Sequence, residues 1–93
     1  MLKHLLTPEA EEDLEEAAAY YESREPGLGA AFLNEYSDGI DRILAFPESH
    51  TQLSQDVRRI LLKRFTYQII YSIEHQLVLI LSVAYTKRKP RNW

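Results

Sequence analysis

The residues best suited to chemistry are basic side chains concentrated in the last third of the chain. Residues 57–93 contain eight of the 11 lysines and arginines and a single acid, Glu74. Residues 1–56 contain three basic and 13 acidic residues, so the formal net charge of −3 hides a strongly polarised molecule. The basic residues alternate with aromatic ones, and the combined set is Arg58, Arg59, Lys63, Arg64, Tyr67, Tyr71, Tyr85, Lys87, Arg88, Lys89, Arg91 and Trp93.

This composition is typical of a surface that binds polyanions, because cations neutralise phosphates and rings stack on unpaired bases. The same groups can carry out a metal-free phosphodiester cleavage, with tyrosine or lysine as the base and arginine stabilising the developing charge. Docking to an acidic protein surface is a third option. Charge that only keeps a sheet edge soluble is a fourth. Eight cations with one acid are more segregated than edge protection requires, which favours a binding surface.

Several other kinds of site are not expected. The chain has no cysteine, so disulfides and thiolate zinc sites are excluded. His4, His50 and His75 lack the spacing of metal ligands, and there is no glycine-rich phosphate loop, so neither a metal nor another cofactor is expected. The longest apolar run, Leu77–Val83, is too short for a membrane-spanning helix, and no signal peptide is recognised. We therefore expect a soluble cytoplasmic protein with no membrane partner.

A short strand and a helix are predicted to begin the chain. Leu2–Leu6 is apolar and is interpreted as the strand. Thr7 can cap a helix and Pro8 suits its first turn, so the helix should start here and run to about Arg24. Its apolar stripe is Ala10, Leu14, Ala17, Ala18 and Tyr21. Six of the eight residues 9–16 are acidic, and we interpret them as a solvated face rather than as catalytic carboxylates.

A second helix and three strands complete the predicted domain. The helix runs from about residue 29 to residue 45, and its apolar stripe is Phe32, Tyr36, Ile40, Ile43 and Leu44. The short connection favours an antiparallel hairpin with its tyrosines and phenylalanines in the core. Strands are predicted over residues 58–64, 67–73 and 77–85, the last apolar on both faces and therefore central.

The predicted fold class is α+β in the order β-α-α-β-β-β, a single domain over residues 1–93. The helix hairpin packs on one face of a small antiparallel sheet. The other face then needs a cover, either from the C-terminal tail or from a partner.

Four stretches, in order, carry a family resemblance: TPEAEEDLEEAAAYYE, ILAFPE, VRRILLKRFTYQIIY and VAYTKRKPRNW. Over nearly the whole chain they resemble the RelE/ParE superfamily of toxins from bacterial type II toxin–antitoxin modules. The resemblance implies a helix hairpin on a small curved sheet. It also implies a cognate antitoxin that holds the toxin inactive by wrapping it with a helix or an added strand. The superfamily has two activities, ribosome-dependent cleavage of mRNA in RelE-like members and inhibition of DNA gyrase without nuclease chemistry in ParE-like members.

The resemblance also implies roles for individual residues. Arg59 falls where the nucleases carry a strand lysine, and Arg88 roughly matches a C-terminal arginine that they use. Tyr85 replaces a histidine found in many relatives and can act as a base or as a stacking ring. If the chain is a nuclease, these three residues are its candidate phosphate clamp and base. However, Leu61 stands where a second catalytic lysine is expected, and Gln68 replaces a further arginine.

These two departures favour the ParE-like branch. Each missing group is typically worth about 10²–10⁴-fold in rate, so their loss removes several kcal/mol of transition-state stabilisation. We therefore predict a non-enzymatic inhibitor of DNA gyrase, with ribosome-dependent cleavage of mRNA as the alternative and a non-toxic nucleic-acid or protein binding module as a further one. The predicted target-binding residues are Arg58, Arg59, Lys63, Arg64, Tyr85, Lys87, Arg88, Arg91 and Trp93.

Overall fold

A two-helix hairpin lies on one face of a five-stranded sheet in the computed structural model, which describes residues 2–87. The elements in chain order are β1 (Lys3–Leu6), α1 (Pro8–Arg24), α2 (Leu28–Ala45), β2 (Thr51–Gln52), β3 (Val57–Leu61), β4 (Tyr67–Glu74) and β5 (Leu77–Tyr85). The predicted α+β class and the packing of the hairpin on the sheet are confirmed. In the described part of the chain, no helix has the length and apolar character needed to cross a membrane.

The sheet is mixed, which corrects the prediction that it is purely antiparallel. The strand order is β1-β5-β4-β3-β2, and β1 runs parallel to β5 while the other neighbours are antiparallel. Two parallel strands need a long crossover connection, which residues 7–76 supply here. Nothing in the local sequence pattern shows that β1 pairs with β5 in parallel. The short β2 lies in a segment predicted as loop. β5 lies between two strands, as its apolar character on both faces predicted.

The core lies between the hairpin and one face of the sheet. Both predicted helix stripes face it, since Ala10 and Ala17 of α1 and Phe32 and Ile43 of α2 are buried. Tyr20 is an exception, because it was expected in the core and is 53% exposed. Consecutive residues lie about 100° apart around a helix, so Tyr20 falls to the side of the stripe. It borders the hairpin's edge instead of covering the sheet.

The turn between the helices depends on Gly27, Gly29 and Glu22. Gly27 has a φ of 91°, a left-handed conformation that residues with a side chain rarely adopt. It offers no side chain to cap α2, and the Glu22 carboxylate accepts hydrogen bonds from the backbone nitrogens of Gly27 and Gly29, each at 3.1 Å. A carboxylate is stabilised at this positive end of the helix dipole. A side chain of α1, that of Glu22, thus caps the N-terminus of α2.

β3 ends sooner than predicted. The strand was expected over residues 58–64, but it stops at Leu61, and Lys63 and Arg64 lie in a bend. Phe65 is buried in the core, and its burial pulls the chain inward at this point. The backbone nitrogen of Leu62 then donates to the carbonyl of Tyr67 at 2.9 Å. Core packing therefore ends the strand here.

The close approach of α2 to α1 at Gly29 yields a first prediction. Replacement of Gly29 by alanine should lower the free energy of unfolding by about 1–3 kcal/mol, the usual cost of overpacking. A Cβ at this position would lie 2.8 Å from the backbone oxygen of Ala18, which cannot rotate away. The measurement is urea unfolding, with Asn34→Ala on the exposed side of α2 as the control, because that change adds helix propensity without a clash. Equal stability of the two variants would contradict the close crossing.

Candidate functional site

Arg58 and Arg59 lie on opposite faces of the sheet, because alternate residues of a strand point to opposite sides. Arg58 pairs with Tyr71 on the side covered by the hairpin, and its Nη1 donates to the carbonyl oxygen of His50 at 2.9 Å. That contact fixes the segment before β3. Arg59 pairs with Ile70 on the side away from the hairpin, which we call the open face. Of the two predicted site residues, only Arg59 is therefore placed on the open face.

Tyr71 shows how the covered side is closed. Its hydroxyl donates to the carbonyl oxygen of Pro47 at 2.6 Å. Burial raises the pKa of Tyr71 to about 12, although the nearby Arg58 charge lowers it slightly. The phenol is therefore neutral at physiological pH and serves as a donor. Arg58 and Tyr71 together hold the segment that follows α2, which is a structural role.

Gln68 orients Arg59 on the open face. Arg59 Nη1 donates to Gln68 Oε1 at 3.2 Å, and Gln68 itself is buried, with only 6% of its surface exposed. A buried amide keeps one position, so it holds the guanidinium in one direction. Leu61 pairs with Gln68 and is 49% exposed, which places aliphatic carbon beside the arginine. Arg59 is therefore flanked by an amide and a hydrocarbon side chain.

Glu35 holds the turn that carries Lys63 and Arg64. Its Oε1 accepts hydrogen bonds from the backbone nitrogens of Lys63 at 2.8 Å and of Arg64 at 3.0 Å. The hydrogen bond from Arg64 is the main reason that the pKa of Glu35 lies below its usual value, and burial partly opposes the shift. The bond from Lys63 and the charges of Arg42 and Arg64 lower it further. Glu35 of α2 therefore fixes the backbone of the turn on which the exposed side chains of Lys63 and Arg64 lie.

The end of β5 lies beside this turn. The backbone nitrogen of Thr86 donates to the carbonyl oxygen of Thr66 at 2.9 Å, and Tyr85 pairs with Tyr67. β4 separates β3 from β5, so the two groups of cations meet at the end of the sheet rather than by direct pairing. The structure brings together four predicted site residues, and we call them the basic end: Lys63, Arg64, Tyr85 and Lys87. The predicted site residues Arg88, Arg91 and Trp93 lie outside the described residues.

A groove of about 640 Å³ lies next to the basic end, between α1 and the sheet. We call it the tyrosine groove, and the side chains that matter for its chemistry are Asp13, Glu16, Tyr20, Tyr21, Tyr67 and Tyr85. Sequence reasoning missed it because the acids of α1 were interpreted as solvated and the α1 tyrosines, Tyr20 and Tyr21, as core. The signal was the spacing of Asp13, Glu16 and Tyr20 at i, i+3 and i+7, which places them on one side of α1.

Asp13 fixes α1 against β5 at this groove. β1 ends opposite Ile80, and no other strand within residues 2–87 lies along the edge of β5 beyond that residue. Asp13 Oδ2 accepts hydrogen bonds from the backbone nitrogen of Val83 at 3.1 Å and from Ser82 Oγ at 3.0 Å. A helix side chain thus pairs with the strand edge, which would otherwise be open to another strand. Within residues 2–87, no group of three or more metal-ligating side chains is close enough to hold a metal ion.

The fold is that of known toxin–antitoxin proteins. A chain of the chromosomal ParDE toxin–antitoxin system from P. aeruginosa superposes with a TM-score of 0.80 at 15% identity, covering 94% of this chain and 98% of that one. The E. coli RelBE toxin–antitoxin complex gives 0.70 at 16% identity, with 95% and 100% covered. The isolated E. coli RelE toxin gives 0.69 at 17% identity, with 96% and 88% covered. At these identities the likeness establishes the fold.

The sequence establishes the family. The family model described as the ParE toxin of the type II toxin–antitoxin system, parDE, matches residues 5–90. No curated protein sequence matches the chain. The chain therefore belongs to the ParE family of toxins from type II toxin–antitoxin systems, and the predicted RelE/ParE membership is confirmed.

The contact between Glu35 and the turn predicts a pH dependence. Because the folded state lowers the pKa of Glu35, its carboxylate stabilises the fold above the usual carboxyl range, about pH 4.3, and this contribution is lost as the pH falls through the folded pKa. Glu35→Gln should therefore unfold more easily than the parent in urea at pH 7, and this difference should narrow at a pH well below about 4.3.

Asp38→Asn is the matched control for this measurement, because it removes an exposed carboxylate from the same helix without affecting the turn. It should match the parent at both pH values. A gap between Glu35→Gln and the parent that stays constant with pH would contradict the proposed ionic contact.

Proposed function

We propose that this toxin arrests growth in the bacterial cytoplasm by binding DNA gyrase through its basic end, without cutting nucleic acid, and that a cognate antitoxin neutralises it. Membership of the ParE family supports the toxin class. The structural likeness to chains named for the ParDE and RelBE toxin–antitoxin systems supports an antitoxin partner. The choice between binding and cleavage rests on the geometry of the open face.

The surroundings of Arg59 carry that choice. The register places Leu61, Gln68 and Ile70 around it, and none of these side chains carries a positive charge or can act as a general base. Metal-free cleavage of a phosphodiester needs a base and cations placed at the developing charge. Gln68 instead uses its oxygen to hold the guanidinium at 3.2 Å. A single oriented arginine of this kind favours recognition of an anionic group over turnover.

The basic end supplies the rest of the binding surface. Lys63 and Arg64 are exposed on a turn that Glu35 fixes, so little conformational entropy of the backbone is lost when a target binds. Lys87 is exposed beside them, and the sequence continues with further cations after it. Clustered cations speed encounter with an acidic protein or with protein-bound DNA.

Induced expression of the toxin alone in a bacterial host tests this proposal. We expect growth arrest, altered supercoiling of a reporter plasmid and intact mRNA on ribosomes. Arrest with mRNA cut inside ribosomes and normal supercoiling would contradict gyrase binding and support the RelE-like alternative. Growth without arrest would contradict the toxin function and leave a non-toxic binding module.

A charge-reversed variant locates the site within the same assay. Lys87→Glu combined with Arg88→Glu should abolish arrest, because acids at the basic end repel an anionic target. Lys3→Glu is the control, since Lys3 is an exposed cation paired with Leu77 at the other end of the sheet. The control should keep full toxicity, and unfolding in urea should be similar for both proteins. Retained toxicity of the double variant would place the binding site elsewhere.

A further inference from the structure

The tyrosine groove has a chemistry opposite to that of the basic end. Two carboxylates, those of Asp13 and Glu16, stand at its α1 side. Glu16 is exposed and has no hydrogen-bond or ion-pair partner among residues 2–87. Phosphates are repelled by such a groove, so it is unsuited to the anionic target proposed for the basic end. It is suited to a positively charged group.

Four tyrosine rings form a continuous wall beside these carboxylates. The centroids of Tyr20 and Tyr21 are 5.3 Å apart, those of Tyr21 and Tyr67 are 6.0 Å apart, and those of Tyr67 and Tyr85 are 5.8 Å apart. The faces of such rings carry partial negative charge and attract cations within about 6 Å. Arg24 already uses this property, since its guanidinium carbon lies 5.8 Å from the centroid of the Tyr20 ring.

The surroundings of Tyr21 favour the neutral form of its phenol. Burial, followed by the proximity of Tyr67, Tyr20 and Tyr85, raises the pKa of Tyr21 above its usual value. Tyr20 and Tyr85 remain substantially exposed, at 53% and 38%, so both are accessible to a ligand. The wall therefore offers ring surface, and the exposed carboxylate of Glu16 supplies negative charge beside it.

These features together select the ligand. A carboxylate beside planar rings matches a guanidinium better than an ammonium, because guanidinium is planar, stacks on rings and bonds a carboxylate through two nitrogens. A volume of about 640 Å³ exceeds the size of one side chain and leaves room for adjoining backbone. The groove therefore favours an arginine within a polypeptide segment over a free ammonium group.

We propose that the tyrosine groove is a docking site for an arginine-bearing segment of the antitoxin. The identification of the partner as an antitoxin rests on the proposed function, whereas the preference for arginine rests on the groove alone. Tyr85 belongs both to the groove and to the basic end. An arginine seated in the groove therefore covers a residue of the target-binding surface. Antitoxin binding and target binding then exclude each other at Tyr85.

A small-molecule probe tests the chemistry of the groove. In an NMR titration of the purified full chain, N-acetyl-arginine amide should give saturable shifts of the Tyr20 and Tyr85 ring signals. N-acetyl-citrulline amide, which has the same shape without the charge, should give none. Equal shifts with both compounds, or shifts with neither, would overturn the proposal.

A matched pair of variants locates the charge that matters. Glu16→Gln should weaken binding of the arginine probe by up to about fivefold, the upper end of the loss expected for one exposed ion pair. Glu15→Gln removes the same charge from an exposed neighbour that does not line the groove, and it should leave the affinity unchanged. Equal weakening by both variants would show that only the overall charge of the protein affects binding, and it would overturn the proposed docking site.

The chain's own tail is the competing occupant, since residues 88–93 also contain arginine and begin three residues after Tyr85. A chain that ends at Lys87 distinguishes the two. Unchanged affinity for the arginine probe supports a partner as the occupant. A clear rise in affinity would assign the groove to the tail and overturn the assignment to the antitoxin.

A growth assay connects the groove to the antitoxin. The toxin is expressed together with the antitoxin gene of its own operon. Glu16→Lys should still arrest growth when expressed alone, but should need a higher dose of antitoxin for rescue, whereas Glu15→Lys should behave as the parent. If Glu16→Lys arrests growth and the parent's dose of antitoxin rescues it, the docking site is overturned and the proposed function stays in place. Absence of arrest in the parent would overturn the proposed function, and the probe titrations would still decide the groove.

Discussion

The packing of four aromatic rings joins the helix hairpin to one end of the sheet, and both proposed binding surfaces depend on it. Tyr21 lies 4.7 Å from Phe65, and Phe32 lies 5.2 Å from Phe65 and 5.1 Å from Tyr67, between ring centroids. Such pairs contribute about 0.5–1.5 kcal/mol each beyond the burial of their area. Phe65 anchors the turn that carries the basic side chains. Tyr21 and Tyr67 extend from the same cluster into the wall of the tyrosine groove.

The polarised charge of the sequence becomes two neighbouring surfaces of opposite sign. The acidic half of the chain supplies Asp13 and Glu16 to the groove, and the basic half supplies Lys63 and Arg64 to the turn. Glu35 connects the halves, since this acid from α2 fixes the backbone of the basic turn. A protein that must bind an anionic target and also be recognised by a partner benefits from such separation, because each surface repels the other's ligand.

Local sequence patterns predicted the parts of the structure that local physics determines. The cap at Thr7 follows from the preference of threonine for that position, and the stripes of both helices follow from helical periodicity. The rest depends on contacts between distant residues. Glu35 and Lys63 are 28 residues apart, and Asp13 and Val83 are 70 apart. No local period encodes such pairs, and for the same reason the parallel pairing of β1 was not predicted, nor the approach of α1 to the sheet that closes the groove.

The most direct test of binding without cleavage uses purified components. The protein is added to gyrase with relaxed plasmid and ATP, and in parallel to ribosomes translating a defined mRNA. We expect supercoiling by gyrase to fail at toxin concentrations comparable to that of the enzyme, while the mRNA stays intact. Normal supercoiling together with cleaved mRNA would contradict it, because the uncharged neighbours of Arg59 would then have been compatible with catalysis.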